Sequence, residues 1–487
     1  MVGAGGAGLA GLHAMQDAGF DARSFEQNDE LGGVWATTKY PSLTIHSRSF
    51  NYRFHDFPAI SSAGPCATRE EVHAYLTSYA RAKSIADKIT YDTQVERITV
   101  RRAQRDCVVE TSSGTHTCDV VICATGYASA GRPHVPELAD RATSQVTVVH
   151  SGALTPAMVD DITTHRRKVV VLGAGKSAHE ILWLLRDAST TWVYTKSLWA
   201  FSYERLYGAP WNVPLYLYYL QLANLRRRRL DYGPVMRALQ APLRWSGLMI
   251  NPIEQDTDVF RNRFAIMKRD QLAFLKTVTR KKAAVARLAE RGVVLDTGET
   301  LAADYLVCAT GYDRRKNLPT VVIEEAGRST PHVLAAQHGF YREMVDPAVP
   351  EVSLLAASPP YLQQLLGYSL GAQWLSRFHT GSLRNQPSLD EMRRGVGKIA
   401  AEFAPWATDE YLSGGLPYAH QRKEEVLPDL FEDMGLPGRL ARKLVISSAS
   451  EAAFGRVCDE ITQALATVPP RRVASSARAA HPSRTDR

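Results

Sequence analysis

Val169-Val170-Val171-Leu172-Gly173-Ala174-Gly175-Lys176-Ser177-Ala178-His179-Glu180-Ile181 is the stretch whose reading decides the fold. Three β-branched residues run into a leucine, a small-residue turn follows, and apolar residues then recur at helical spacing. This is a buried strand, a tight turn and a helix start, the context that gives a G-x-G-x-x-G/A string its meaning. Gly173 permits the turn, Gly175 lets a pyrophosphate approach the backbone, and Ala178 keeps the helix close to the strand. With Lys176 and Ser177 they bring phosphates to the positive N-terminus of a helix. Small-residue turns also join strands to helices for packing alone, so one copy carries limited weight.

A second copy opens the chain. Val2-Gly3-Ala4-Gly5-Gly6-Ala7-Gly8 repeats the spacing and precedes a helical run over Leu9–Phe20. The strand Ala22–Phe25 then ends at Glu26, where a carboxylate that holds a ribose belongs. Two dinucleotide turns imply two dinucleotides, and a flavin with a nicotinamide is the economical pairing. Only Met1 and Val2 precede Gly3, whereas strands average about five to six residues. The expectation is that the true start lies upstream; the alternative is a flavin held by a curtailed central strand.

A chain of 487 residues is long enough for two or more domains. Its 45% hydrophobic and 22% charged residues are ordinary for a soluble globular protein. The net charge of +8 favours anionic ligands, which two dinucleotides satisfy, and no basic stripe sits on a recognisable nucleic-acid module. None of the six cysteines forms a C-x-x-C pair, which argues against a structural zinc or a vicinal redox disulfide. That usage fits a reducing, cytoplasmic location, and no metal is expected. There is no secretory signal, and no apolar run reaches about 18 residues.

Leu31-Gly32-Gly33-Val34-Trp35 is a glycine loop carrying a bulky aromatic, either a turn with a core tryptophan or backbone lying close to a flavin. The two strings Ala124-Thr125-Gly126-Tyr127 and Ala309-Thr310-Gly311-Tyr312 each follow an apolar strand, Val120–Cys123 and Leu306–Cys308. Taken in order, the first glycine turn, Phe25-Glu26, the Gly33–Trp35 loop, Tyr40-Pro41-Ser42-Leu43 and Asp56-Phe57-Pro58 resemble the flavin-containing monooxygenase family. Glu71-Val72, Tyr75-Leu76, Tyr79-Ala80, the second glycine turn and the two A-T-G-Y strings extend the likeness from Gly3 to about Gly381. The chain is thereby identified as a divergent class B flavoprotein monooxygenase.

The resemblance implies an α/β fold of two Rossmann-like dinucleotide-binding domains, with the NADP domain inserted in the FAD domain between the A-T-G-Y strings. The expected boundaries are 1–165 for the first part of the FAD domain and 166–311 for the NADP domain. Residues 312–467 then return to the FAD domain and its C-terminal helices, and 468–487 form a disordered tail, being polar, basic and rich in Pro, Ser and Ala. Thr191–Thr195 reads as the second strand of the NADP domain. Lys196 follows it, at the place where a cation accepts a 2′-phosphate. Gly298 marks a hairpin before the crossing strand, and Leu365–Arg377 reads as a glycine-broken loop and helix.

The implied chemistry is hydride transfer from NADPH to FAD and capture of O2 as a C4a-hydroperoxide. The oxygen then passes to a nucleophilic nitrogen or sulfur of a small apolar substrate, as in N,N-dimethylaniline monooxygenases. A Baeyer–Villiger oxygenase acting on a ketone is the alternative, as is a flavin-dependent NADPH reductase that never oxygenates. Two departures stand out. The family fingerprint F-x-G-x-x-x-H keeps only His150, with Ser144 at its aromatic and Val146 at its glycine, while Leu154 replaces the tryptophan of the ketone-oxidising fingerprint. His46 stands where relatives place an asparagine facing flavin and nicotinamide, and it is the candidate catalytic residue, either hydrogen-bonding the oxygenating flavin or NADP+ or lying idle in a surface loop.

About 198–266 is the least family-like stretch, rich in aromatics and followed within it by Arg226–Arg229. It is expected to wall a substrate entrance, with contact of 211–229 to a membrane surface as the lesser reading.

Overall fold

The computed structural model describes residues 1–126, 132–195, 199–208, 214–215, 218, 222, 233–250, 253, 265–313, 318–334, 340–355, 364–403, 423–448 and 450–473. Tyr127, Lys196, the four arginines Arg226–Arg229, most of the aromatic insertion and the tail beyond 473 lie outside them. The chain divides into two compact units. One is Met1–Ala36 with Ser47–Gly131 and Arg314–Arg487; the other is Thr37–His46 with Arg132–Asp313.

The first unit is built on a parallel sheet in which Ser24–Phe25 pairs with Ile89–Thr90, and Val121–Cys123 pairs with Val352–Leu354. Val2 joins the two halves, bridging Phe25 on one side and Cys123 on the other. Its N–H donates to Ile122 (2.9 Å) and its carbonyl accepts from Ala124 (2.8 Å). The two residues ahead of Gly3 thus hold the central position that a whole strand would hold.

A second sheet runs in the order Arg328–His332, Thr320–Glu325, Val95–Arg101, Asp106–Thr111, Gly114–Cys118. Thr320–Glu325 lies parallel to Val95–Arg101, so the returning chain is stitched into the first unit by backbone bonds. Val2, Ile98, Val100, Val121, Val321 and Val352 share one buried core. Alternate residues of both sheets point into it, which is what excludes water from both.

Helix Gly6–Asp17 packs against helix Gln364–Thr380. The latter corrects the broken loop expected over Leu365–Arg377: it is one continuous helix, and Leu365, Leu366 and Tyr368–Thr380 are all buried. Each helical glycine costs about 1 kcal/mol relative to alanine. Burial offsets this here, because a Cβ on Gly371 would sit 3.1 Å from Leu355 and Met344 side chains. The glycine allows close approach rather than a break.

The second unit carries a five-stranded sheet in the order Thr279–Lys282, Ser189–Tyr194, Lys168–Leu172, Tyr305–Cys308, Thr147–His150, with every pairing parallel. Val169, Val170 and Val171 are all buried, as a strand covered on both faces demands. Because Thr147–His150 pairs with Tyr305–Cys308, this unit takes in residues well ahead of position 166. Val285–Ala289, Gly292–Leu295 and Thr300–Ala302 form an antiparallel meander around the turn at Gly298. Among the described residues no helix is long and apolar enough to cross a membrane.

Candidate functional site

The first turn is fixed by backbone bonds that only a short, bare loop can make. The Gly3 N–H donates to Phe25 O (2.8 Å) and its carbonyl accepts from Ser24 Oγ (3.0 Å). Gly3 lies at φ +99°, and a Cβ there would be 2.8 Å from the Ala124 carbonyl oxygen, so the turn is wedged against Ala124-Thr125-Gly126. Gly5 precedes the helix Gly6–Asp17 as its N-cap. The Gly32 N–H donates to Ala4 O (3.0 Å), and a Cβ on Gly33 would sit 3.2 Å from Gly5 Cα. Two stretches of bare backbone thus oppose each other beside a helix N-terminus. Gly6 is spent differently, on close packing against Leu365.

Glu26 is buried, and its carboxylate braces this loop. Oε2 accepts from the Ala4 N–H (2.7 Å), and Oε1 accepts from Asn28 N (3.1 Å) and Nδ2 (2.6 Å). A carboxylate has about four lone-pair sites, so it retains acceptor capacity for a ribose hydroxyl. Trp35, half-buried, donates from Nε1 to the Tyr52 hydroxyl (3.0 Å).

The second turn repeats the plan. The Gly173 N–H donates to Val193 O (2.9 Å), Gly173 lies at φ +122°, and its missing Cβ leaves room for the Ala309 carbonyl of Ala309-Thr310-Gly311. Gly175 caps helix Lys176–Leu184, and a Cβ there would meet nothing within 4 Å. Ala178 is fully buried. In place of a carboxylate brace, Trp192 Nε1 donates to the Gly173 carbonyl (2.7 Å). The residue that follows the Gly173 acceptor, as Glu26 follows Phe25, is the buried Tyr194; Lys196 is two further on and outside the described residues.

His150 ties this turn down. Its Nδ1 accepts from the Gly152 N–H (3.1 Å), so the proton of the neutral ring is on Nε2, which donates to Gly311 O (2.9 Å). Burial holds its pKa below the ordinary imidazole value, which keeps the ring neutral, and the two hydrogen bonds select the tautomer. Thr310 Oγ1 donates to His134 O.

Thr37–His46 belongs to this unit as a strap fastened across the same helix. The Lys39 N–H donates to Gly152 O (2.9 Å), and the buried Tyr40 hydroxyl donates to Glu180 Oε2 (2.6 Å). Lys176 Nζ lies 2.9 Å from Glu180 Oε1 and donates to Thr44 O (2.8 Å). Ser177 hydrogen-bonds Tyr40, whose phenol burial and the Glu180 charge push well above the usual tyrosine range. His46 is half-buried; desolvation, then the Lys176 ammonium, hold it well below the usual imidazole range. This favours the neutral form of the ring.

The structure therefore gathers Gly3, Gly5, Gly8, Glu26, Gly33, Thr125 and Gly126 in one unit, and Gly173, Gly175, Lys176, Ser177, Ala178, Thr310, Gly311 and His46 in the other. Reading the sequence missed Tyr40, Glu180 and Trp192 as structural partners of the second turn. The i,i+4 spacing of Lys176 and Glu180 was a usable signal; Tyr40, 140 residues from Glu180, gave none.

Residues 1–211 match the family model described as pyridine nucleotide-disulphide oxidoreductase. The chain is 24% identical over 454 residues to the probable flavin-containing monooxygenase 1 of Arabidopsis thaliana, covering 80% of this chain and 83% of that one. It shares the fold of the cyclohexanone monooxygenase from Rhodococcus sp. Phi1 bound to NADP+, with TM-score 0.64, 14% identity, and 92% and 97% of the two chains covered. It shares it also with the S-allyl-L-cysteine S-oxygenase from Allium sativum, with TM-score 0.57, 16% identity, and 95% and 98% covered. These likenesses run across both units.

Proposed function

We propose, from the premise that this chain is a divergent member of the class B flavoprotein monooxygenases, that it uses NADPH and FAD to insert one oxygen atom of O2 into a nucleophilic nitrogen or sulfur of a small organic substrate. The balance is substrate, O2, NADPH and a proton giving oxygenated substrate, NADP+ and water. The observation that carries the reading is the repeated turn: a glycine at positive φ wedged on an A-T-G backbone, followed two residues on by a glycine that caps a helix N-terminus, where a phosphate is favoured.

The residues present fit two such groups. Gly5 and Gly33 bring side-chain-free backbone together beside a helix N-terminus on the first unit, with Glu26 for a ribose; at Gly175 on the second, a Cβ would meet nothing within 4 Å. When bound, the nicotinamide supplies a hydride and the flavin supplies activation of O2. The chain's own part is to orient, to exclude water and to place hydrogen bonds. His46 is assigned to hydrogen bonding at the cofactor. As a neutral ring it can donate from one nitrogen and accept at the other.

Heteroatom oxygenation is favoured over ketone oxygenation by two features. Leu154, where the ketone-oxidising fingerprint has tryptophan, is fully buried core. Lys176, the cation that faces His46, is engaged by Glu180 and Thr44, whereas ketone oxygenation calls for a cation at the oxygen-transfer centre. The test is product analysis of the NADPH-reduced flavoprotein in air with a tertiary amine, a thioether and a cyclic ketone. N-oxide or sulfoxide is the expected product. Lactone alone would replace this reading with the ketone oxygenase, and stoichiometric hydrogen peroxide with no oxygenated product would reduce it to a reductase.

A further inference from the structure

We propose that Glu180 and Tyr40 are positioning residues for His46: through Lys176 they fasten the strap Thr37–His46 to the helix Lys176–Leu184, so that the nicotinamide-binding unit presents the imidazole. The flanking chain on both sides of the strap, Met1–Ala36 and Ser47–Gly131, belongs to the other unit, so only its attachments make the strap part of this one.

Several specific attachments do this, among them a side-chain hydrogen bond between Thr38 and Tyr312. Glu180 uses both carboxylate oxygens, Oε2 for the Tyr40 hydroxyl (2.6 Å) and Oε1 for the Lys176 ammonium (2.9 Å). Lys176 closes the loop by donating to Thr44 O, two residues before His46. Lys39 adds a backbone bond to Gly152, which also caps the His150 ring. The Lys176 and Glu180 side chains are 25% and 13% exposed, so this pair is not a solvated surface contact whose worth is screened away. Within the strap, Ser42 sits at φ +70°, a conformation a non-glycine residue keeps only where its surroundings impose it. The lysine beside the second glycine turn is thus committed to the strap, and Glu180 sets where it points.

This inference rests on the two-cofactor reading only for its consequence, and its first readout needs no turnover. Hydrogen exchange of peptides covering residues 37–46, the NADP+ dissociation constant by calorimetry, and the His46 ring signal in a 13C-histidine-labelled sample are to be compared. The proteins are the full-length wild type and E180Q, Y40F, K176M and K176R, each with its native flavin content. E180Q, Y40F and K176M are expected to speed exchange over residues 39–46 at least tenfold, to raise the NADP+ Kd three- to tenfold and to move the His46 signal. K176R, which keeps the bonds to Glu180 and Thr44, is expected to restore all three towards wild type.

Wild-type exchange in the strap for E180Q and Y40F would overturn the proposal. So would faster exchange with an unchanged His46 signal and NADP+ Kd. Should E180Q loosen the whole unit, Y40F decides, since it removes a single hydroxyl. Failure of the wild type to form any oxygenated product would overturn the oxygenase reading while leaving the strap measurements intact.

Discussion

The two glycine turns solve one problem with different chemistry. Both put a positive-φ glycine under the carbonyl of an A-T-G turn, and both hang that glycine from the neighbouring strand by one N–H bond, Gly3 to Phe25 O and Gly173 to Val193 O. They differ in what braces the loop. The first is held by a carboxylate, Glu26, bonded to the Ala4 N–H; the second by an indole, Trp192, bonded to the Gly173 carbonyl. They differ also at the third small residue, where the first turn has Gly8 and the second Ala178. The backbone geometry is thus common to both, and the side chains set how tightly each turn closes and what charge faces its ligand.

Gly8→Ala gives the largest expected effect. A Cβ at position 8 would overlap the Gly3 carbonyl oxygen, a backbone atom that cannot swing away. Over-packing of this kind costs about 3 kcal/mol. Thermal unfolding and flavin absorbance of the purified protein are the measurements, with a lowered Tm and flavin loss expected. A G8A protein with wild-type Tm and flavin content would break the comparison, because the first turn would then close no more tightly than the second.

Protonation separates the units next. His179, on the helix that follows the second turn, is 2% exposed and rests edge-on against Trp192 with ring centroids 5.3 Å apart. Neither of its ring nitrogens has a hydrogen-bond partner among the described residues, and burial pulls its pKa from 6.5 to about 4. Between those values the unfolded chain binds a proton that the folded chain refuses. This contribution is therefore complete above about pH 6.5 and is lost as the pH falls towards 4, by about 3 kcal/mol in all. In the first unit His55 is also drawn down to about 4 by burial, but beside Asp56, His13 and Lys83, where the charges are shared. Urea unfolding at pH 7.5, 5.5 and 4.5 should show a shallower pH slope in His179→Leu, with the His55 share remaining. An unaltered slope would mean that His179 is protonated in the fold.

What could be read from the sequence follows from range. The two turns were legible because strand, glycine spacing and helix start are all local, and the A-T-G strings because each ends an apolar run. The hairpin around Gly298 was legible for the same reason. The strap was not: Tyr40 and Glu180 are 140 residues apart, and Thr37–His46 is flanked on both sides by chain of the other unit. The continuity of Gln364–Thr380 was hidden because glycine is a poor helix former locally, and only the packing of Gly371 on Leu355 and Met344 shows its use. Val2 as a whole central strand was hidden by its brevity, since its support comes from Phe25 and Cys123, both remote in sequence.

The braces give the third contrast. Glu26→Ala leaves the buried Ala4 N–H without its acceptor and is expected to cost about 2 kcal/mol, with loss of flavin. Trp192→Phe keeps most of the ring and removes one neutral bond to Gly173, worth about 1 kcal/mol. It should raise the NADP+ Kd severalfold and leave flavin content alone. Flavin absorbance and NADP+ calorimetry on the two variants check this, and flavin loss in W192F would show that the two turns do not bind independently.

The smallest effect sharpens the comparison most. Ala178→Gly makes the second turn match the first in sequence, G-x-G-x-x-G in both. If the third small residue had the same task in each, this change should be neutral or favourable. The structure says otherwise: Ala178 is fully buried, so its methyl already has a place, and removing it deletes packing while adding the entropy of a helical glycine. The expected loss is about 0.5–1 kcal/mol in denaturant unfolding, with NADP+ affinity nearly unchanged. The opposing signs of the steric argument at positions 8 and 178, one turn too tight for a methyl and the other already filled by it, are what that pair of variants measures.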